Sequence, residues 1–282
     1  MKSYSNFDLY SHNTMRLHCI AKEVRQPENE AELIDLVKQF VKEKHRFYVL
    51  GACSNVILPR RLDIPVILLT AFNKDVIIDE GIIEAGASVR VQHLIREAQR
   101  RELGGIEYLF SVPCTVGGAT VMNAGRGNKN QSIGNYIEKV KVLDVETLEI
   151  KTYNKEQCCF DYRKSVFLHG KDIVLSTTLR LEKKTREEIE KDIESRKQYA
   201  LEYLDDRRPS CGSIFKAFNG RIMKMMRGVR LGGAEWSSKT NNWISNRGNA
   251  KNWQVRYLIG FACFLHRITF KPYHLEVEIW KQ

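Results

Sequence analysis

The 282-residue chain has no run of about 18 consecutive apolar residues, which excludes an ordinary membrane-spanning helix. Its N-terminal stretch, MKSYSNFDLYSHNTMRLH, puts polar residues where a secretory signal would place its apolar segment. A soluble, cytoplasmic protein with no membrane partner is expected. The seven cysteines, Cys19, Cys53, Cys114, Cys158, Cys159, Cys211 and Cys263, are odd in number and show no CxxC pair, so the sequence offers no zinc clamp and no metal is expected. They read as free thiols in a reducing compartment. Internal repeats and low-complexity tracts are also missing. Acidic residues are in deficit, 34 against 45 basic. That favours an anionic partner, yet the cations form no stripe interleaved with aromatics and no nucleic-acid module. A phosphorylated small molecule accounts for the excess without nucleic acid.

What is present divides into three textures. In PENEAELIDLVKQFVKEK, residues Leu33, Leu36, Val37, Phe40 and Val41 recur at helical spacing behind an acidic first turn. A short strand, HRFYVL, then enters the turn Gly51-Ala52-Cys53-Ser54-Asn55, and VILPRRLDIPVILLT reads as further strand. A Rossmann dinucleotide site needs a helix directly after its glycine turn. Strand, turn, strand excludes that geometry here.

The second texture opens with VIIDEGIIEAGASV, a hairpin folded about DEG, and continues through a helix, VQHLIREAQRREL. It reaches GGIEYLFSVPCTVGGATVMNAGRGN, where six glycines from Gly104 to Gly127 accompany Pro113, Asn123 and Asn128. Such density fits backbone approaching a ligand closely, or equally a turn-rich sheet edge. The third texture follows a charged helical stretch ending in DDRR, which reads as a connector. It contains PSCGSIFKAF, the cluster WSSKTNNWISN, an apolar stretch WQVRYLIGFACFLHRITF and the tail HLEVEIW.

Taken in order, NTMRLH, VLGACSN, GIEYLFSVPCTVGGATVMNAG, FDYRKSVF, RPSCGSIFKAF and HLEVEIW resemble the short form of the UDP-N-acetylenolpyruvoylglucosamine reductases, over residues 13–279 or so. The resemblance implies an α+β fold. A two-part FAD-binding domain of the vanillyl-alcohol-oxidase (PCMH) type is expected over residues 1–184, with subdomains of about 1–72 and 73–184. An α+β substrate domain is expected over 185–282. It further implies reduction of a UDP-N-acetylglucosamine enolpyruvyl ether in peptidoglycan synthesis, with FAD as hydride carrier and NADPH as hydride source. A monomer acting on a small nucleotide sugar is the expected form.

By the same resemblance, Gly51, Ala52, Cys53, Ser54 and Asn55 form one flavin loop. Pro113, Cys114, Thr115, Gly117, Gly118, Asn123 and Gly125 belong to a second. Ser213 is the implied proton donor, Arg163 and Glu278 complete the catalytic set, and Tyr162 and Lys216 contact substrate. Without the resemblance, Ser213 reads as a turn or cap hydroxyl, Arg163 as a surface charge, and Glu278 as an exposed strand residue alternating with Val277 and Ile279.

The chain departs from the family pattern at several positions. Cys53 and Cys114 stand where the loops usually carry glycine, and a side chain costs roughly 1 kcal/mol or more wherever φ must be positive. Ala217 replaces a polar asparagine and Thr240 a histidine, both on the substrate side. A paralogous flavin oxidoreductase acting on another nucleotide sugar is therefore the second expectation, and a non-catalytic relic the third.

Overall fold

In a computed structural model of the chain, every residue is described except 127–129, 205–206 and 282, so Gly127 and Asn128 of the glycine-rich stretch lie outside the described residues. The fold is α+β and divides into two compact units that do not follow chain order. Unit 1 comprises residues 1–3, 24–52 and 65–197, and unit 2 comprises 4–23, 53–64 and 198–282. Two N-terminal segments thus belong with the C-terminal residues.

Unit 1 begins its core with helix α1, Glu30–Lys42, which starts where Asn29 accepts the Glu32 N–H and two glutamates occupy the first turn. It buries Leu33, Leu36, Val37 and Phe40, while Val41, expected on the same face, is exposed at the stripe's edge. Strand Val66–Leu68 lies between strands Ile20–Gln26 and Tyr48–Leu50 and is parallel to both. The DEG hairpin forms as Val76–Asp79 and Ile82–Gly86, with Glu80 and Gly81 both at positive φ, the backbone a two-residue connection favours. It edges a five-stranded antiparallel sheet ordered Ile150–Asn154, Ile137–Asp144, Asp172–Arg180, Ile82–Gly86, Val76–Asp79.

Helices α2, Val91–Arg100, and α3, Val116–Val121, add to the same core. So does α4, Arg186–Tyr199, which buries Ile189 and Ile193 there and pairs Glu190 with Arg96 of α2. That ion pair holds the Glu190 carboxyl down at about 2. The charged stretch expected to be a connector is thus a packed element of unit 1. Its two apolar residues four apart were outweighed in the sequence by its many charges.

Unit 2 is built on the antiparallel sheet Ser210–Ser213, Trp243–Asn246, Ala234–Trp236, Arg230–Leu231. Helices α5, Gly220–Met226, and α6, Asn252–Ile268, pack with it. Phe215 and Trp236, both fully buried, stack with centroids 6.3 Å apart; side chains of this size contribute about 1.5–3 kcal/mol each on burial. Asn13 of the N-terminal motif folds into this unit, where its amide bonds Leu9 O and Leu17 O and its carbonyl accepts the Leu17 N–H. Asn246 donates to Met15 O and accepts from Gly248 and Ala250 N–H. The Asn13 bonds shape the N-terminal segment locally, and the Asn246 bond to Met15 O joins residues distant in sequence.

Candidate active site

Unit 1 brings Gly51 against Thr115. A Cβ built at Gly51 would lie 2.8 Å from Thr115 Oγ1, so glycine is required for the approach. Thr115 also caps α3 by accepting the Gly118 N–H, and Cys114 O accepts from Val91 N–H. Gly117 is needed for packing, because a Cβ there would meet Ala87 at 2.9 Å. Gly104, Gly105 and Gly125 likewise face the protein's own Glu107, Tyr136 and Gln131. For these four glycines, the close approach that the sequence left unassigned is to neighbouring protein atoms.

Asn123, Tyr162 and Arg163 line a cavity of about 440 Å³ in unit 1, together with Gln131, Lys155 and Cys159. Its key element is a tight turn. Asp161 and Lys164 exchange two backbone hydrogen bonds, of 3.1 and 3.0 Å, leaving Tyr162 and Arg163 at the tip. Arg163 occupies the second central position with φ +52°. Turns usually place glycine or asparagine there, and a bulky residue costs on the order of 1 kcal/mol. The guanidinium is held by a 2.8 Å bond from Nη2 to Gly125 O and lies over the Tyr162 ring at 5.5 Å. Asn123, also at positive φ, donates to Asp161 O and accepts from Gly134 N–H. Asn123, Gly125, Tyr162 and Arg163 therefore form one connected assembly.

Unit 2 holds the remaining candidates. Asn55 Nδ2 donates to Glu276 O and Asn55 O accepts from Glu278 N–H, both at 2.9 Å, so strand Glu278–Ile279 runs parallel to Val56–Ile57. Ile214 O accepts from Glu276 N–H, which ties the residue after Ser213 to the same tail. Ser213 ends strand Ser210–Ser213, is partly exposed, and follows Gly212 at φ +74°. Asn242, a residue the sequence reading passed over inside WSSKTNNW, accepts the Phe215 N–H and donates to Phe215 O. It pins the segment carrying Ser213; its only sequence signal is an asparagine in a polar cluster. Lys216 is exposed on strand Phe215–Ala217, Ala217 is exposed beside it, and Thr240 N–H bonds Ser237 Oγ.

The two cysteine departures have different local structures. Cys53 sits at φ +51°, buried, with its thiol pushed well up by burial. Cys114 has an ordinary φ, and burial pushes its thiol up to about 12, past the opposing charges of Arg90 and Arg163. Both thiols are neutral, so neither opposes an anion electrostatically.

An FAD-binding-domain family model matches residues 21–152. The chain is 33% identical to the UDP-N-acetylenolpyruvoylglucosamine reductase of Francisella tularensis over 290 residues, covering 99% of this chain and 98% of that one. The chain belongs to that reductase family. The enzyme of the same name from Caldanaerobacter subterraneus is 31% identical, covering 92% of this chain and 87% of its own. The crystal structure of the Thermus caldophilus reductase superposes with a TM-score of 0.80 at 26% identity, over 99% and 98% of the two chains. A solvent-stable cholesterol oxidase, at 15% identity and TM-score 0.50 over 64% of this chain, shares the fold alone.

Family membership makes the chain an FAD-dependent oxidoreductase, and the residues present fit the cofactor. Gly51 lets its loop close on Thr115 of the second loop, where a Cβ would crowd the threonine hydroxyl. The N–H groups of Ala52, Cys53 and Ser54 donate no hydrogen bond among the described residues. Backbone donors left in this way suit the oxygens of a diphosphate.

Proposed function

We propose that this member of the family reduces the enolpyruvyl ether of UDP-N-acetylglucosamine enolpyruvate to UDP-N-acetylmuramate, with NADPH as reductant, for peptidoglycan synthesis in the cytoplasm. The observation that carries the proposal is Arg163 at the strained tip of a turn beside a cavity, since a costly backbone conformation is kept where a side chain must be aimed. When bound, FAD supplies the hydride relay between NADPH and the vinyl carbon.

Hydride addition to that carbon leaves negative charge on the adjacent carbon and on the carboxylate conjugated with it. Arg163 offers a permanent charge with fork geometry for this carboxylate, and Tyr162 flanks it. Ser213 then delivers a proton to the carbon next to the carboxylate, and Glu278 polarises the same centre from the tail strand. A serine hydroxyl is a weak acid, so its placement must be rigid. The Ile214–Glu276 and Phe215–Asn242 bonds are what supports that rigidity. Lys216 serves as a mobile cation for substrate phosphate.

The test separates the two half-reactions by stopped flow. In Ser213→Ala, flavin reduction by NADPH keeps a near-normal rate, while reoxidation by the enolpyruvyl substrate slows by roughly a hundredfold or more. Ser213→Cys retains more activity than Ser213→Ala. Equal slowing of both half-reactions shows Ser213 to be structural. If the unaltered chain reduces its flavin but gives no turnover with this substrate, the enzyme acts on a different nucleotide sugar.

A further inference from the structure

Helix α6 is apolar on two faces. Val255, Leu258, Ile259, Ala262 and His266 enter the core of unit 2 or are buried beside it, as an amphipathic helix requires. The opposite side carries Trp253, Tyr257, Phe261, Phe264 and Ile268, exposed by 56, 62, 39, 53 and 53%. At about 100° per residue these five fall within an arc of roughly 80°, so they form one continuous stripe. Phe270, just beyond the helix, is 92% exposed. Aromatic side chains in such a row, open to water, mark a surface that something covers.

The charge around the stripe selects the occupant. Residues 207–275 hold 13 of the chain's 45 basic residues and one of its 34 acidic ones, Glu235. The remainder of the chain is therefore close to neutral, and the whole net charge of +11 resides in this region. Glu235 is itself paired with Arg208 and Arg247. Arg267 and Lys271 are exposed at the end of α6, as is Lys224 on α5, which packs against it. A second copy of the chain would bring two such cationic surfaces together. An RNA would match the charge but leave Phe261, Phe264 and Ile268 against a polyanion.

We infer that α6 is a docking surface for an anionic lipid bilayer, lying in the interface with its aromatic stripe inserted and its lysines and arginines at the headgroups. Trp, Phe and Ile on one side with flanking cations is the composition of interfacial helices. No helix among the described residues is long and apolar enough to cross a membrane, so α6 lies on the bilayer and does not span it. This departs from the expectation of no membrane partner, which rested on the lack of a long apolar run. Apolar residues four apart, alternating with a second apolar face, do not make such a run.

The experiment is cosedimentation of the FAD-loaded full chain with vesicles of phosphatidylcholine, alone or with about 30 mol% phosphatidylglycerol. The protein is expected to sediment with the anionic vesicles and not with the neutral ones, and about 0.5 M salt should weaken the binding. Phe261→Ser/Phe264→Ser should lower the partition coefficient at least about tenfold, and Arg267→Glu/Lys271→Glu should do the same. All four positions are exposed, so folding is expected to be unaffected. Independently of these variants, a brominated anionic lipid should quench tryptophan fluorescence in the unaltered chain, and Trp253→Phe should abolish the quenching. Absence of sedimentation with anionic vesicles, or absence of quenching, overturns the inference. So does a dimer in light scattering that the Phe261→Ser/Phe264→Ser variant dissociates, or tighter binding to single-stranded RNA that the same variant loses.

Discussion

The two units aim their candidate residues by different means. In unit 1, Asn123 and Arg163 stand in left-handed backbone conformations at φ +42° and +52°, and the loop glycines permit contacts that a Cβ would block. In unit 2, the left-handed position before Ser213 is taken by Gly212, and Ser213 and Glu278 are placed by strand pairing and by the Asn55 and Asn242 side chains. Among the three candidate catalytic residues, the left-handed conformation falls on Arg163, the one that lines the cavity. Where a hydroxyl or carboxylate only has to sit at a strand end, register suffices. Mutations of candidate catalytic residues in the two units should therefore differ in whether a loss of activity comes with a gain in stability.

The largest expected effect lies at the strained turn. Arg163→Gly removes the guanidinium but suits φ +52°, so flavin reoxidation by substrate should fall by roughly a hundredfold while thermal stability is kept or raised. Stopped flow and a melting curve measure the two together. A variant that loses stability along with activity would show that the turn is held by the arginine's hydrogen bond to Gly125 O, and the contrast between the units would collapse. In Ser213→Ala, by comparison, activity falls with no gain in stability.

Much of this organisation could be read from the sequence, for reasons specific to each stretch. The DEG hairpin is local: two alternating runs and a turn residue suited to positive φ define it without reference to the rest of the chain. The order strand, GACSN, strand is equally local. Unit 2 was not legible, because residues 4–23 join it through Asn246, which donates to Met15 O, and residues 53–64 through Asn252, which donates to Leu58 O, and a single asparagine carries no signal of a partner some two hundred residues away. Of the site residues, Arg163 was identifiable by its motif, but nothing in FDYRKS announces a turn closed between Asp161 and Lys164. The glycine-rich stretch was ambiguous because glycine serves a ligand and a tight packing contact equally well; at Gly51 and Gly117 alike a Cβ would meet protein atoms, of Thr115 and Ala87.

Gly51→Ala sharpens that distinction with a smaller effect. Its φ is ordinary, so the substitution adds only a methyl group 2.8 Å from Thr115 Oγ1, and one of the two loops must shift. FAD affinity, followed by flavin absorbance during dialysis, should fall about tenfold. Gly118→Ala is the matched control. Its Cβ would lie 3.4 Å from the same oxygen, on a helix that favours alanine over glycine, so flavin content should hold. Equal loss in both variants would mean that the Gly51–Thr115 approach has no special part in holding the cofactor.

The smallest effect is the most discriminating, because Cys53 breaks the contrast: it belongs to unit 2 yet stands at φ +51°, while Cys114 of unit 1 does not. The sequence alone treats the two as the same departure from glycine. The structure predicts opposite signs. Cys53→Gly relieves roughly 1 kcal/mol of left-handed strain, which offsets the loss of a small buried side chain, so its melting temperature should stay level or rise. Cys114→Gly relieves nothing, removes a thiol that is 4% exposed, and adds backbone freedom to the unfolded chain. It should lose about 1–2 kcal/mol, a few degrees in a chain of this size. Both should retain FAD, since each thiol is held neutral by burial and supplies no charge to the cofactor. Equal destabilisation would show that the Cys53 loop tolerates its conformation at no cost, and loss of flavin from either variant would make that thiol a cofactor contact.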